Sequence, residues 1–317
     1  MASWLARRSR SAACEALVIL IEREPVPSAA ALKDAFRAFL ELSSRRARPN
    51  DLGARDPDFI DRALPLMSLL YDYCFRCETE LSCEVPDEPL LVVANHNGMS
   101  GTPDLFCLMV AFWRRYGTRR PAYGLMHDVP FSVPGAGAWL NAAGAIAANP
   151  PNAHAALDSG AAVLVFPGGD REACRPYRQR HQIVFAGRKG FLRTAIAAGV
   201  RILPVVSAGA HSSLYLWSDG QRIAKALGLS RSPMRTNVFP IGLALPYGLV
   251  FGLAWPHIPL PVKVHTRFLE PIDLGVPPEA ASDPEVLDRC YALVVATMQQ
   301  GLDDLKREGR HGLFPKR

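Results

Sequence analysis

The sequence predicts an α/β fold with a mostly parallel central sheet flanked by helices, together with an N-terminal helical region. Segments 90–94, 161–166 and 202–206 are short and continuously apolar, as strands buried on both faces of a parallel sheet are. Helical patterns alternate with these strands, which is typical of βαβ units. The first 84 residues carry only helical spacing of apolar residues, and we therefore place a boundary between residues 84 and 85.

In the N-terminal region, helices are predicted over 12–24, 28–42 and 58–80, and the last of these contains Pro65. The polar segment 45–55 predicts a linker between helices. Apolar residues of 58–80 have two interpretations: they pack on the core, or they contact a membrane.

Beyond residue 85, proline and glycine mark the ends of the predicted helices. Pro103 opens a helix over 104–116, because proline at the first helical position loses no hydrogen bond. Gly199 closes a helix over 189–198, and Ser-Asp-Pro-Glu caps a final helix over 282–307.

Composition excludes several classes of protein. Hydrophobic residues make up 49% of the 317 residues and charged residues 21%, which excludes a disordered chain, and a mean hydropathy of +0.05 argues against a polytopic membrane protein. The seven cysteines are odd in number and predict a reducing compartment without a disulfide framework. Cys74 and Cys77 lack a second pair at zinc-ligand spacing, so no metal site is predicted.

Segment 236–262 has 27 residues without a formal charge, long enough for a membrane span. Its five prolines argue against a regular helix. A hairpin or broken helix lying in a membrane interface fits this composition, and a buried crossover in the core is the alternative.

The first chemically informative motif is Asn-His-Asn-Gly-Met-Ser-Gly-Thr-Pro-Asp at 95–104, directly after a predicted strand. In open α/β sheets, ligands bind at the carboxyl ends of the strands. A carboxylate on one imidazole nitrogen fixes the tautomer and leaves the other nitrogen free as a general base. His96 with Asp104 is therefore a candidate catalytic pair, and a structural histidine is the alternative.

The second motif is Phe-Pro-Gly-Gly-Asp-Arg-Glu at 166–172, also after a predicted strand. Paired glycines let backbone amides approach an oxygen-rich ligand, and the Arg171 guanidinium can bind phosphate or carboxylate. The alternative is a tight turn with a surface ion pair. A basic run follows and favours an anion site, with acidic lipid headgroups as another partner for some of its members: Arg175, Arg178, Arg180, His181, Arg188, Lys189 and Arg193.

Together with Gly-x-Arg-Ile-Leu-Pro-Val-Val at 199–206, these motifs resemble the glycerolipid acyltransferase superfamily over residues 85–210. Phe-Pro-Gly-Gly-x-Arg-Glu resembles the Tyr-Pro-Gly-Gly-x-Arg-Glu block of its diacylglycerol acyltransferase branch. Gly168 stands where the phosphatidate-forming enzymes have Glu, and seven residues separate His96 from Asp104 where those enzymes have four. Whether the acceptor carries a phosphate therefore stays open.

The resemblance implies a membrane-associated enzyme that moves a fatty acyl group from acyl-CoA to a hydroxyl of a (lyso)glycerolipid. It implies His96 as general base, Asp104 as its orienting carboxylate, residues 85–317 as the acyltransferase domain, and residues 1–84 as the helical region. Acyl-CoA is then a co-substrate, with no further cofactor and no metal, and the protein is expected at the cytoplasmic face of a membrane, peripheral or monotopic. The implied substrate-binding residues are Gly98, Gly101, Phe166, Pro167, Gly168, Gly169, Arg171, Glu172, Arg188 and Lys189.

Two other functions compete with acyl transfer. Gly98-x-Ser100 between strand and helix is similar to the nucleophile elbow of a serine lipase or esterase, which would need His211 or His265 as its base. A non-catalytic lipid-binding protein on the same scaffold is the second alternative. Nucleic acid is not an expected partner, because the basic run lacks interleaved aromatic residues.

Overall fold

The computed structural model describes residues 19–98, 103–232, 236–252 and 259–316. The predicted helix over 12–24 lies outside these ranges up to residue 18 and is wrong in its described part, because Ile19–Leu20 forms a strand and 21–24 is not helical. The helices are α1 Ala29–Ser43, α2 Pro57–Leu69, α3 Pro103–Tyr116, α4 Asp128–Phe131, α5 Gly137–Ala142, α6 Pro150–Asp158, α7 Gly169–Ala173, α8 Gly190–Ala198, α9 Gln221–Ala226 and α10 Pro284–Glu308. The strands are β1 Ile19–Leu20, β2 Glu78–Leu81, β3 Leu90–Ala94, β4 Ala122–Met126, β5 Ala145–Ala147, β6 Ala162–Val165, β7 Arg201–Ala208, β8 Tyr215–Ser218, β9 Ile241–Ala244, β10 Gly248–Phe251 and β11 His265–Phe268.

The main sheet has the strand order β1-β2-β11-β7-β3-β6-β4-β5. Strands β7, β3, β6, β4 and β5 are parallel to one another, whereas β11 is antiparallel to β7 and parallel to β2. The predicted α/β fold with a mostly parallel sheet is confirmed. The carboxyl ends of the neighbouring strands β3 and β6 meet at one edge and bring both sequence motifs together.

Helices cover both faces of this sheet, and alternate residues of β3 enter two different hydrophobic cores. Leu90 and Val92 pack with α1, α2 and α3, whereas Leu91 and Val93 pack with α6, α8 and α10. The first core includes Ile60 of the N-terminal helical region. The predicted division at residues 84 and 85 therefore does not coincide with a break in the hydrophobic core.

Most predicted helix ends agree with the structure. Ser28 caps α1 by accepting a hydrogen bond from the Ala31 amide, Gly199 ends α8 in the left-handed conformation with φ of 62°, and Asp283 caps α10.

The predicted helix over 58–80 is wrong in its last part. Helix α2 ends at Leu69 and continues as one π-helical turn, Leu70–Cys74, after which Glu78–Leu81 forms strand β2. Glu80 is buried there because Arg267 of the adjacent strand β11 pairs with its carboxylate. Pairing with a strand almost 190 residues away thus overrides the local helical pattern.

A second, antiparallel sheet with the order β10-β9-β8 lies after β7, and β9 with β10 forms a hairpin inside the uncharged segment 236–262. One face of this sheet is buried on a small core through Leu216, Ala244 and the adjacent Val238. The other face exposes six large apolar side chains: Tyr215, Trp217, Leu243, Leu245, Leu249 and Phe251. Within the described ranges, no helix is both long enough and apolar enough to span a bilayer.

Candidate active site

His96 follows the carboxyl end of β3 by two residues, and Asp104 is the second residue of α3. The Nδ1 atom of His96 lies 2.9 Å from Oδ2 of Asp104. Asp104 is buried, and its carboxylate also accepts hydrogen bonds from the backbone amides of Asn97 at 2.8 Å and Leu105 at 2.9 Å. These bonds hold the carboxylate in place, so that it fixes the orientation of the imidazole.

The imidazole ring is also fixed by an aromatic contact. It stacks on Phe166 of the second motif, with ring centroids 4.0 Å apart and an angle of 11° between the planes. The His96 side chain retains 14% exposure, and no side chain in the described ranges hydrogen-bonds Nε2. The geometry leaves Nε2 as the nitrogen that can exchange a proton with a substrate.

Two asparagines beside His96 tie this loop to β7 and to the turn that follows it. The Asn95 side chain donates to the Ser207 carbonyl at 3.0 Å and accepts from the Ser207 amide at 2.8 Å. Asn97 accepts a hydrogen bond from the Ala210 amide at 2.7 Å. This role was not predicted from the sequence, although an asparagine stands on either side of the strand-end histidine.

The glycines of the second motif are required by close packing. A Cβ atom on Gly168 would lie 2.3 Å from Cβ of Glu172, and one on Gly169 would lie 2.5 Å from Nη1 of Arg188. Gly169 also has a φ of +51°, in the region that favours glycine. The constraint on Gly98 in the first motif is milder, with Pro103 at 3.0 Å from the position of a Cβ atom. Gly101, like Ser100, lies outside the described residues.

Three of the residues implied to bind substrate have protein partners in the structure. Glu172 is fully buried beneath His96, where it accepts the His96 amide at 3.0 Å, so the structure places it below the site and not at its surface. Arg188 donates to the Gly168 carbonyl at 2.8 Å and pairs with Asp170, and Lys189 pairs with Asp288 of α10. The two contacts of Arg188 hold the turn that contains Gly168. Because Glu172, Arg188 and Lys189 all have protein partners, each has fewer hydrogen-bonding groups left for a ligand.

Arg171 differs from these basic residues. No carboxylate in the described ranges pairs with its guanidinium, and its Nε atom is buried without a hydrogen-bond partner. Arg171 directly precedes Glu172, which hydrogen-bonds the His96 amide, and an unpaired guanidinium is suited to an anionic group of a substrate. Among the three basic residues implied to bind substrate, Arg171, Arg188 and Lys189, the structure thus makes Arg171 the strongest candidate.

Known proteins that are similar in sequence place this chain in a family. Residues 76–208 match the family model for Acyltransferase. An uncharacterized protein of Mycobacterium tuberculosis is 32% identical over 262 residues, which are 82% of this chain and 70% of the relative, and one of Mycobacterium leprae is 30% identical over 82% and 68%. The chain belongs to the glycerolipid acyltransferase superfamily.

Two further proteins resemble parts of this acyltransferase. Phytyl ester synthase 1, chloroplastic, of Arabidopsis thaliana is 27% identical over 189 residues, which are 54% of this chain and 26% of that enzyme. The crystal structure of PlsC, a 1-acyl-sn-glycerophosphate acyltransferase from Thermotoga maritima, superposes with a TM-score of 0.47 at 21% identity, covering 87% of this chain and 89% of that one.

The acyltransferase also has a cluster of residue types that bind metals, two strands away from β3. In the described part of the chain, Glu78, Glu80 and His265 bring their ligand atoms within 4.8 Å of one another. Basic side chains already compensate these carboxylates: Lys263, Arg267 and Arg310. This cluster is an ion-pair network joining β2, β11 and the C-terminal segment.

Proposed function

We propose that this acyltransferase moves a fatty acyl group from acyl-CoA to a hydroxyl group of a (lyso)glycerolipid at a membrane surface. The observation that carries the proposal is the hydrogen bond between His96 and the buried Asp104. Phytyl ester synthase 1 is, by its name, an ester-forming enzyme, which supports an ester product here as well.

In the proposed reaction, Nε2 of His96 takes the proton from the acceptor hydroxyl as its oxygen attacks the thioester carbonyl. Asp104 stabilises the imidazolium through Nδ1. The tetrahedral intermediate collapses with cleavage of the C–S bond, and the imidazolium returns its proton to the CoA thiolate. One ester and one thiol form, without an acyl-enzyme.

The oxyanion of that intermediate needs hydrogen-bond donors. The candidate sources of backbone amides are the two glycine-containing segments 98–101, of which Gly98 alone lies in the described ranges, and 168–169. The Gly169 amide already donates to the Phe166 carbonyl at 3.1 Å, so we assign the role in the second turn to the Gly168 amide.

Arg171 is proposed to bind an anionic group of a substrate, either a phosphate of CoA or a phosphate on the acceptor. Its immediate neighbours have other roles: Asp170 accepts hydrogen bonds from Asn237 and Arg188, and Glu172 is buried. The side chain of Arg171 is therefore the cation of the second motif that remains for a ligand.

Membrane contact is proposed for the exposed face of the second sheet. Tyr215, Leu243 and Leu249 occupy adjacent positions across its three strands, and all three are exposed. The sheet adjoins the second motif, because the Asn237 amide donates to Asp170 at 2.7 Å and Tyr215 packs against Tyr177 at 4.8 Å.

Charge on the neighbouring segment supports an anionic membrane as the partner of this face. Arg222 and Lys225 of α9 and the nearby Arg231 are exposed on the segment that directly follows β8 in the chain. An apolar face bordered by cations is typical of proteins that bind the interface of an acidic bilayer. The second motif, which adjoins this sheet through Asp170, would then lie near the lipid from which the acceptor is drawn.

A panel of acceptors tests the proposal. Purified protein is incubated with labelled acyl-CoA and, in separate reactions, lysophosphatidate, other lysophospholipids, mono- and diacylglycerol, and a fatty alcohol. We expect a labelled ester with at least one acceptor and none with the His96→Ala variant. Labelled free fatty acid without ester would favour the serine hydrolase instead, and Ser100→Ala would then abolish its release. Absence of any product would favour the lipid-binding protein.

A further inference from the structure

A buried ion pair holds both sides of the His96 backbone. Glu172 accepts a hydrogen bond from the His96 amide at 3.0 Å, and Nη1 of Arg175 donates to the His96 carbonyl at 2.5 Å. The two side chains are 0% and 1% exposed, and they lie 3.7 Å apart. We propose that Glu172 and Arg175 are positioning residues that set the place of the catalytic imidazole. This inference rests on the proposed function of His96 as general base.

The hydrogen bonds of the pair are committed to backbone groups. The second oxygen of Glu172 accepts the Val184 amide at 3.0 Å. Besides the His96 carbonyl, the Arg175 guanidinium donates to the carbonyls of Glu172, Gln179 and Arg180. The pair therefore links the His96 loop to three separate stretches of the loop that follows β6, and it offers nothing to a substrate.

Burying the two charges of this ion pair costs free energy, so stability alone does not account for its presence. Removing two charges from water costs several kcal/mol per ion, and apolar replacements of buried pairs are often neutral or stabilising. Burial raises the pKa of Glu172 and lowers the pKa of Arg175, and each partner's charge opposes the effect on the other. What the pair provides is a fixed geometry on both sides of His96.

Gly168 is part of the same arrangement of residues around His96. A Cβ atom at this position would lie 2.4 Å from Oε2 of Glu172, the oxygen that receives the His96 amide, and 2.6 Å from the Val184 carbonyl. Glycine at 168 thus leaves the space that the Glu172 carboxylate fills. A side chain at 168 and a carboxylate from 172 cannot both occupy this place.

The test variant is Glu172→Gln, which keeps the size of the side chain. Its amide offers one oxygen to two backbone N–H donors, and its NH2 group must face the other donor. The matched control is Asp72→Asn, which breaks a buried pair with Arg114 that is 2% and 4% exposed and has hydrogen bonds of 3.0 and 2.6 Å. Arg114 lies ten residues beyond Asp104 on α3, about 15 Å along the helix.

We expect Glu172→Gln to lower kcat by about 10²-fold with the KM for acyl-CoA unchanged, because a displacement near 1 Å costs that much. Asp72→Asn should lower the melting temperature but leave kcat within about twofold. A second readout is the proton on Nδ1 of His96, observed by NMR in protein with 15N-labelled histidine and assigned by its loss in His96→Gln. Its resonance should shift or vanish in Glu172→Gln and stay unchanged in Asp72→Asn.

The inference is overturned if folded Glu172→Gln keeps both the wild-type kcat and the wild-type His96 proton resonance, or if the two variants lose activity equally. The NMR readout does not require turnover. An inactive wild type with a resonance that depends on Glu172 would contradict the proposed function while supporting the positioning role.

Discussion

Asp104 engages Nδ1 of His96 and two backbone amides with one buried carboxylate. An amide at this position would keep the shape, but its NH2 group could face Nδ1 and favour the wrong tautomer of the ring. The charge that stabilises the imidazolium would also be absent. The acidity and the placement of this one side chain therefore both matter to the proposed base.

For Asp104→Asn we expect kcat to fall by about 10²–10⁴-fold, the usual contribution of general-base catalysis, with little change in the binding of acyl-CoA. Steady-state kinetics and isothermal titration calorimetry measure the two quantities. Retention of kcat within a few fold would show that the His96–Asp104 pair is structural.

A second prediction for a single residue concerns Arg171. Replacement by Gln should raise the KM of one substrate about tenfold, since the proposed charge-assisted contact with an anionic group would be lost. If Arg171 binds a CoA phosphate, the wild-type preference for acyl-CoA over acyl-pantetheine will decline. If it binds the acceptor, the preference for lysophosphatidate over monoacylglycerol will decline instead.

Arg193→Gln is the control for Arg171, because Arg193 is exposed on α8 of the same basic run and has no ion pair in the described ranges. Equal effects of the two variants would indicate a diffuse electrostatic attraction, and no effect of either would remove Arg171 from the site.

Among the elements, the second sheet carries the proposed membrane contact. Leu249→Asp should reduce co-sedimentation with vesicles that contain anionic phospholipid at least fivefold, because a charge at the bilayer interface opposes insertion of the apolar face. Leu293→Asp on α10 is the control, since the two leucines are 53% and 49% exposed and differ mainly in location. Equal binding of both variants would place the membrane contact elsewhere.

A histidine pair joins the loop after β6 to the C-terminal segment. Nε2 of His181 lies 2.9 Å from Nε2 of His311. Burial, with the neighbouring His311, lowers the pKa of His181 to about 3, and burial lowers the pKa of His311 to about 4. Both side chains are thus neutral in the folded protein at pH values where the unfolded chain protonates them.

This pair predicts a loss of stability in acid. Between pH 6.5, where unfolded histidine titrates, and about pH 4, the unfolded state binds more protons, so the free energy of unfolding falls as the pH falls. Urea unfolding of the wild type and of His181→Gln/His311→Gln at pH 7, 6, 5 and 4.5 measures the effect. The variant should show the smaller decline, whereas equal declines would mean that the pair does not titrate in this range.

At the scale of the whole molecule, the main sheet was predictable where strands are continuously apolar. Leu90–Ala94 is buried on both faces and follows directly from its composition. Glu78–Leu81 contains two glutamates, and its place in the sheet depends on cations of β11 and the C-terminal segment. Such distant compensation of charge leaves no local pattern in the sequence.

The residues of the candidate site also fall into two groups, those that the sequence predicts and those that only the structure shows. His96 and Asp104 were predictable because the sequence shows that His96 follows a strand and that Asp104 opens the next helix. The structure brings the two side chains into contact. The buried roles of Glu172 and Arg175 were not, since both residues have the composition of an exposed anion-binding loop. Only the fold shows that they point beneath His96.

The central claim is that His96 catalyses acyl transfer as a general base, and release of the CoA thiol tests it most directly. With acyl-CoA and an acceptor accepted in the panel, thiol release by the wild type should depend on the acceptor, and His96→Ala should be slower by about 10²–10⁴-fold while still binding acyl-CoA. Release that is independent of every acceptor, or that continues at the wild-type rate in His96→Ala, would contradict the account.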